Sequence, residues 1–269
     1  PDSILPSFLK SACSHAKASV DSALPDMITA VANSAFDEWV EDWRQGIMVP
    51  LHKRKGTPLE FVNHRGLTLL NVFSKAVSGA AATRVHRHLE LTNRLAEEQG
   101  GFRKGRGTDF KVFNLYQLLD QRKRNGQNTA VGFVDLRKAH DKVWKEGIMY
   151  KLLKNGISGR MCNPLKSILD RQVRRVRASM DHSLGNTFEI HQGLPQGAPE
   201  SPTLFAIFIN DLIERLRERG CGVRFVATRR PGLFFADDIA LVASTVYELE
   251  ISLGVVSQWC REWRLEVNG

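Results

Sequence analysis

Cysteine is scarce in this sequence and never paired. Cys13, Cys162, Cys221 and Cys260 are scattered, with no CxxC and no histidine at ligand spacing, which excludes a zinc ribbon and a disulfide-stapled scaffold. Isolated thiols fit a reducing compartment, the nucleus or cytoplasm, better than a secretory one. Long apolar runs are also missing. No segment approaches the roughly 20 apolar residues a membrane-spanning helix requires, and Pro1 to Lys10 lacks the basic-then-apolar order of an export signal. There is no internal repeat and no low-complexity linker. An initiating Met is absent and the chain stops at Asn268-Gly269, directly after an apolar-rich stretch, so it reads as a piece of a longer product.

What is present is a core and a positive surplus. With 269 residues, 42% of them apolar, the chain can bury one large core or two small ones. Its 38 Lys+Arg against 29 Asp+Glu give a formal charge of +9, which suits a polyanion such as nucleic acid and equally suits an ordinary solvated surface. Apolar residues at Ile28, Val31, Ala35 and Trp39 predict an amphipathic helix over 24–39. Residues 46–51 read as a strand opening into the basic turn His52-Lys53-Arg54-Lys55-Gly56. Helices are expected over 71–91 and 109–124, separated by a basic, glycine-rich loop over 100–107. Further on, 131–136 reads as a strand, 141–155 as a helix closed by Gly156, and 173–180 with 186–191 as paired strands. Residues 202–219 read as a helix with Ser201 as N-cap, 233–243 as a hairpin and 246–264 as a last helix. Strands mixed with helices make the class α+β.

Acidic residues in apolar surroundings carry the chemistry. On a strand, alternation puts Val131, Phe133 and Asp135 on one face, and a charge there needs a partner unless it merely begins a turn. Asp237-Asp238 sits between two β-forming runs, Leu233 to Phe235 and Ile239 to Val242. Alone the pair is compatible with simple turn chemistry. Three carboxylates on neighbouring strands, however, repel one another unless divalent cations neutralise them. Mg2+, a hard cation that takes carboxylate and phosphate oxygens, is the expected ion, with Mn2+ as an alternative. Two such ions, roughly 4 Å apart, are the recurring arrangement for in-line nucleotidyl transfer. Between these segments, Gln192 to Phe205 forms a Gly/Pro loop whose glycines permit close backbone approach to a substrate.

The order FxDxxKA-x-D, QGxxxSPxLF, FADD resembles motifs A, B and C of reverse transcriptases. Upstream, Asn63 to Leu70 is similar to the family's "YRPISLL" segment and Gln99 to Thr108 to its "QxGFRxGRST" segment. This variant, with FADD, resembles non-LTR (LINE-like) elements more than retroviruses, over roughly residues 46–269. The resemblance implies a right-hand polymerase with an N-terminal helical extension over 1–45, fingers over 46–128 and a ferredoxin-like palm with an antiparallel sheet over 129–269, the thumb lying beyond this stretch. It implies Asp135, Asp237 and Asp238 as the catalytic triad, with Leu136 offering a backbone carbonyl to a metal. Arg65, with Lys53 or Lys55, matches contacts to the incoming triphosphate, Gln196 and Gly197 match the nucleotide-binding loop, and His140 faces the incoming sugar. The partners implied are an RNA template, a DNA primer and deoxynucleoside triphosphates. Arg103, Lys104, Arg106 and the run Arg171, Arg174, Arg175 and Arg177 are basic positions expected to meet nucleic-acid phosphates. Asp141 is read as the N-cap of the helix behind motif A.

The sequence departs from the family pattern at three places: His140 stands where Phe or Tyr is usual, Gly66 where Pro is usual, and Glu200 where an apolar residue is common. The motif D lysine is also expected beyond Gly269. A catalytically inactive or domesticated nucleic-acid-binding remnant and a group II intron-type maturase are the alternative readings. An RNA-dependent RNA polymerase fits less well, since its C motif is usually Gly-Asp-Asp.

Overall fold

The computed structural model describes residues 41–177, 183–226 and 228–268. The helix expected over 24–39 and the residue Cys13 lie outside them. In chain order the strands, and the helices longer than a single turn, are β1 (Gln45–His52), β2 (His64–Leu70), α1 (Val72–Leu91), α2 (Thr108–Arg124), β3 (Ala130–Asp135), α3 (Lys145–Lys154), α4 (Asn163–Leu169), β4 (Gln172–Arg177), β5 (Leu184–Ile190), α5 (Ser201–Glu218), β6 (Val223–Phe225), β7 (Thr228–Arg230), β8 (Gly232–Phe235), β9 (Asp238–Ala243) and α6 (Val246–Glu262). This is a mixed α and β chain, as expected.

The described residues fall into two compact units, each discontinuous in sequence: 41–88 with 152–201, and 89–151 with 202–268. The first unit holds a four-stranded sheet in the order β2-β1-β4-β5. β1 pairs antiparallel with β2 and parallel with β4, and β4 pairs antiparallel with β5. Of the strand expected over 173–180, residues 178–180 lie outside the described residues. The second unit holds a three-stranded antiparallel sheet, β3-β9-β8, and a small β6-β7 hairpin. Nothing in the sequence pattern had marked that hairpin as strand.

In the second unit α5 supplies the core. Leu204, Phe205, Phe208, Ile209, Leu212 and Leu216 are fully buried, and burial of such side chains contributes about 1.5–3 kcal/mol each. Ser201 is the first helical residue and not the cap, since its hydroxyl donates to the Pro195 carbonyl at 2.9 Å. The expected helix 141–155 is broken. Residues Ala139–Lys142 make one turn, Val143 adopts φ −54°, ψ 128°, and α3 then begins at Lys145. Val143 is fully buried, and its extended backbone turns the chain inward. Asp141 consequently lies inside the first turn, whose N-cap is Lys138 in a left-handed conformation. Gly156 does end α3, at φ 78°, a conformation that favours glycine. α6 has a reciprocal cap that sequence reading missed: the Thr245 hydroxyl accepts from Glu248 N–H at 3.1 Å and the Glu248 carboxylate accepts from Ser244 N–H at 2.9 Å.

Candidate active site

In the second unit, β3 alternates as a half-open strand should. Val134 is buried and Phe133 is 79% exposed, so Asp135 leaves on the same open face as Phe133. β8 and β9 form the expected hairpin, turned by Ala236-Asp237, with Ala236 left-handed at φ 56°. The ladder register sets Asp135 directly opposite Asp238. Like charges facing each other across a ladder destabilise a sheet, and the cost is visible in protonation. The Asp238 carboxyl is raised above the ordinary aspartate range, first by partial desolvation among its apolar neighbours and then by the negative charges of Asp237 and Asp135. The three expected carboxylates thus share one electrostatic neighbourhood. They do not form a preformed cage, since among the described residues no three acidic, His or Cys side chains already converge on a metal position. Crowded carboxylate oxygens are nevertheless the donor set a hard divalent cation requires.

The segment after α6 runs back along this edge. Leu136 bridges Val267, Arg137 N–H donates to the Glu266 carbonyl at 2.8 Å, and Asn268 N–H donates to the Asp135 carbonyl at 2.9 Å. The Asn268 side-chain amide donates to the Asp135 carboxylate at 2.6 Å. The Leu136 side chain is itself buried, so only its backbone is available for the expected metal contact. His140 stacks on Phe205 with ring centroids 4.2 Å apart and meets the Phe102 ring edge-on at 6.1 Å. Burial holds its imidazole below the usual histidine pKa, against the opposing pull of Asp237 and Asp141, so the ring is neutral at neutral pH.

In the first unit, Arg65 is exposed on β2 opposite Leu51 of β1. Lys53 and Lys55 are exposed on the loop that follows β1, and Lys53 Nζ donates to the Val62 carbonyl at 3.0 Å. At Gly66 a Cβ would lie 2.9 Å from the sulfur of the flexible Met48 side chain. The Gln196 carbonyl accepts from Thr68 N–H at 2.8 Å and Gln196 bridges Leu67 in parallel, which lays the loop alongside β2. Gly197 has φ 108°, and a Cβ would lie 3.1 Å from the Thr68 carbonyl, so glycine is required by conformation and by space.

The basic positions separate by burial. Lys104, Arg171 and Arg175 are exposed, while Arg106 and Arg177 are half-buried, Arg106 pairing with Glu97 at 2.9 Å. Arg103 and Arg174 do not present themselves to phosphates as expected. The Arg103 guanidinium grips both Glu90 carboxylate oxygens at 2.7 Å and donates to the carbonyls of Ala96 and Gln99. Arg174, 2% exposed, donates to the carbonyls of Arg44 and Val173, and burial lowers its pKa to about 10. Both are internal braces. Phe102, Phe205 and Asn268 border the site, and sequence reading gave them no role. Their partners lie tens of residues away, so no local pattern reveals them.

A carboxylate-bearing hairpin thus pairs with an acid-tipped strand, and an imidazole flanked by aromatic rings lies close enough to feel the charge of Asp237. Residues 52–269 match the family described as reverse transcriptase (RNA-dependent DNA polymerase), and the chain belongs to that family. It is 24% identical over 262 residues to the RNA-directed DNA polymerase from mobile element jockey of Drosophila melanogaster, covering 91% of this chain and 27% of that protein. It is 28% identical over 238 residues to the probable RNA-directed DNA polymerase from transposon BS of the same species, covering 85% and 25%. The chain thus spans about a quarter of the length of these curated relatives. Among solved structures it shares its fold with telomerase of Candida albicans (TM-score 0.62, 10% identity, 91% of this chain and 44% of that one) and apo telomerase of Candida tropicalis (TM-score 0.62, 12% identity, 93% and 48%). Its sequence relatives are polymerases of non-LTR retrotransposons.

Proposed function

We propose that these residues carry out RNA-directed DNA synthesis for a non-LTR retrotransposon, extending a primer 3′-hydroxyl on an RNA template with deoxynucleoside triphosphates. The observation that carries this reading is the ladder register that sets Asp135 beside Asp238, with Asp237 at the adjoining turn. In this reading Asp135, Asp237, Asp238 and the Leu136 carbonyl hold two Mg2+ ions, or Mn2+. When bound, these ions favour ionisation of the attacking hydroxyl and stabilise the charge of the leaving pyrophosphate. Arg65 and a lysine of the 53–55 cluster neutralise the triphosphate, Gln196 and Gly197 meet the base and sugar through the loop, and His140 packs against the sugar. Residues 46–128 correspond to fingers and 129–269 to a ferredoxin-like palm. The nucleus or cytoplasm is where such a protein would act.

The test is a single substitution. In a protein extended through the remainder of the polymerase, Asp237→Asn is expected to abolish Mg2+-dependent primer extension, because it removes a charged ligand from the proposed two-metal site, while RNA binding is kept. Near wild-type extension by this variant removes Asp237 from catalysis. Binding without extension by the parent protein favours the inactive remnant instead.

A further inference from the structure

Gln99 is fully buried, yet it is polar and nothing in the reaction described above uses it. Its side-chain carbonyl accepts two backbone hydrogen bonds, from Gly101 N–H at 2.7 Å and from Ala236 N–H at 3.1 Å. The amide nitrogen, equally buried, has no partner. Two converging N–H donors fix which end of the amide points at them. A buried N–H left without an acceptor is costly, and this position accepts that cost on its own amide nitrogen while satisfying the Gly101 and Ala236 N–H groups, which an apolar side chain would orphan. What only a carbonyl can supply at this position is the grip on Ala236.

Ala236 is the left-handed residue of the β8-β9 turn, immediately before Asp237. The segment carrying Gln99 is built against that turn. Phe234 N–H donates to the Glu98 carbonyl at 3.1 Å, Gly100 N–H donates to the Phe234 carbonyl at 2.8 Å, and Gln99 bridges Phe234 in parallel, like an added strand. At Gly101 a Cβ would lie 2.2 Å from the Ala236 nitrogen, so the approach tolerates no side chain. From the other side the Arg103 guanidinium holds the Gln99 main-chain carbonyl at 3.2 Å. Gln99 is therefore fixed by its own backbone and passes that order on to the turn.

We propose that Gln99 is a positioning residue for the metal-binding turn: its side-chain carbonyl holds the Ala236 N–H and so sets the direction in which the Asp237 and Asp238 carboxylates leave the hairpin. The inference rests on the metal-site reading given above. Without this acceptor the turn keeps its strands but loses the restraint on its left-handed residue, and the carboxylates cease to be presented together.

Mn2+ binding to this chain, followed by the loss of the free-ion electron paramagnetic resonance signal, tests the proposal without requiring turnover. Gln99→Met, which keeps the volume and removes the acceptor, is expected to weaken Mn2+ binding by roughly 10–100-fold, the usual cost of losing a group that orients a ligand. Its far-UV circular dichroism should match the parent. Should Gln99→Met fail to fold, Gln99→Asn, whose amide falls one methylene short of Ala236, is expected to behave in the same way. If Asp237→Asn loses Mn2+ and a folded Gln99 variant binds like the parent, the positioning role is overturned while the metal site stands. If Asp237→Asn itself binds Mn2+ like the parent, the metal-site reading fails and this inference fails with it.

Discussion

His140 lies between two phenyl rings, stacked on Phe205 and edge-on to Phe102, and burial keeps it neutral. A neutral imidazole donates from one nitrogen and accepts at the other, and it is smaller than the phenyl or phenol the family usually has here. Facing the incoming sugar, as proposed, it would both open space for a ribose 2′-hydroxyl and offer it a partner. The polymerase is expected to use ribonucleotides more readily than its His140→Phe variant, by about tenfold if about 1.4 kcal/mol of steric discrimination is at stake. Comparing kcat/KM for dNTP and rNTP in the two proteins decides it, and equal ratios would show that position 140 does not select the sugar.

Glu200, the departure from an apolar residue, is fully buried in the first unit, and neither carboxyl oxygen finds a hydrogen bond of good geometry. Desolvation raises its pKa, opposed by its own backbone, the Ser78 hydroxyl and the charges of Arg174 and Lys75. A carboxyl whose folded pKa exceeds its unfolded one binds its proton more tightly when folded. Its contribution is complete below the unfolded value, near 4.5, and is lost as pH rises through the folded pKa. Glu200→Gln should therefore stabilise the protein at pH 7.5, by about 1–3 kcal/mol on the scale of an unsatisfied buried polar group, with a smaller gain at pH 4.5. Urea unfolding midpoints at both pH values measure this, and a gain independent of pH would show that ionisation of Glu200 is not the cause.

At the scale of elements, the loop between α1 and α2 holds its shape through Arg103. This residue ties Glu90 of α1 to the carbonyls of Ala96 and Gln99, a set of charge-assisted bonds made with the guanidinium almost wholly out of water. Arg103→Gln is expected to destabilise the fold by about 2–3 kcal/mol, seen as a lowered urea midpoint. Binding of nucleic acid by the fraction that remains folded should keep its salt dependence. The same reasoning explains why the β8-β9 hairpin is not built for stability. Where its second strand, β9, pairs with β3, Asp238 faces Asp135, a repulsion that a purely structural pairing would avoid.

For the whole molecule, the formal charge of +9 matters through the cations left facing solvent. Lys104 and Arg175 are exposed, whereas Arg103 and Arg174 are buried. If the exposed ones neutralise phosphates, replacing Lys104 and Arg175 together by Gln should flatten the slope of log affinity for RNA against log salt by about one to two units. An unchanged slope would return them to ordinary solvated surface.

The strands that carry the acids were legible in the sequence because their pattern is local. Phe133-Val134-Asp135 and Phe235-Ala236-Asp237-Asp238 each combine a period-2 apolar pattern with an acid at a strand end, and both strands and the hairpin form where that pattern places them. The roles of Gln99, Phe102, Phe205 and Asn268 were not legible, since each depends on a partner far along the chain. Nor was the break at Val143, where burial of one side chain overrode a continuous helical pattern. Sequence by itself determined the family, the strands that bear the acids and the glycines required by conformation, because these depend on side-chain type and short-range spacing. Tertiary structure alone decided which arginines face water and which brace the interior, and which carbonyl holds the turn before Asp237, because burial and long-range hydrogen bonds exist only once the chain has folded.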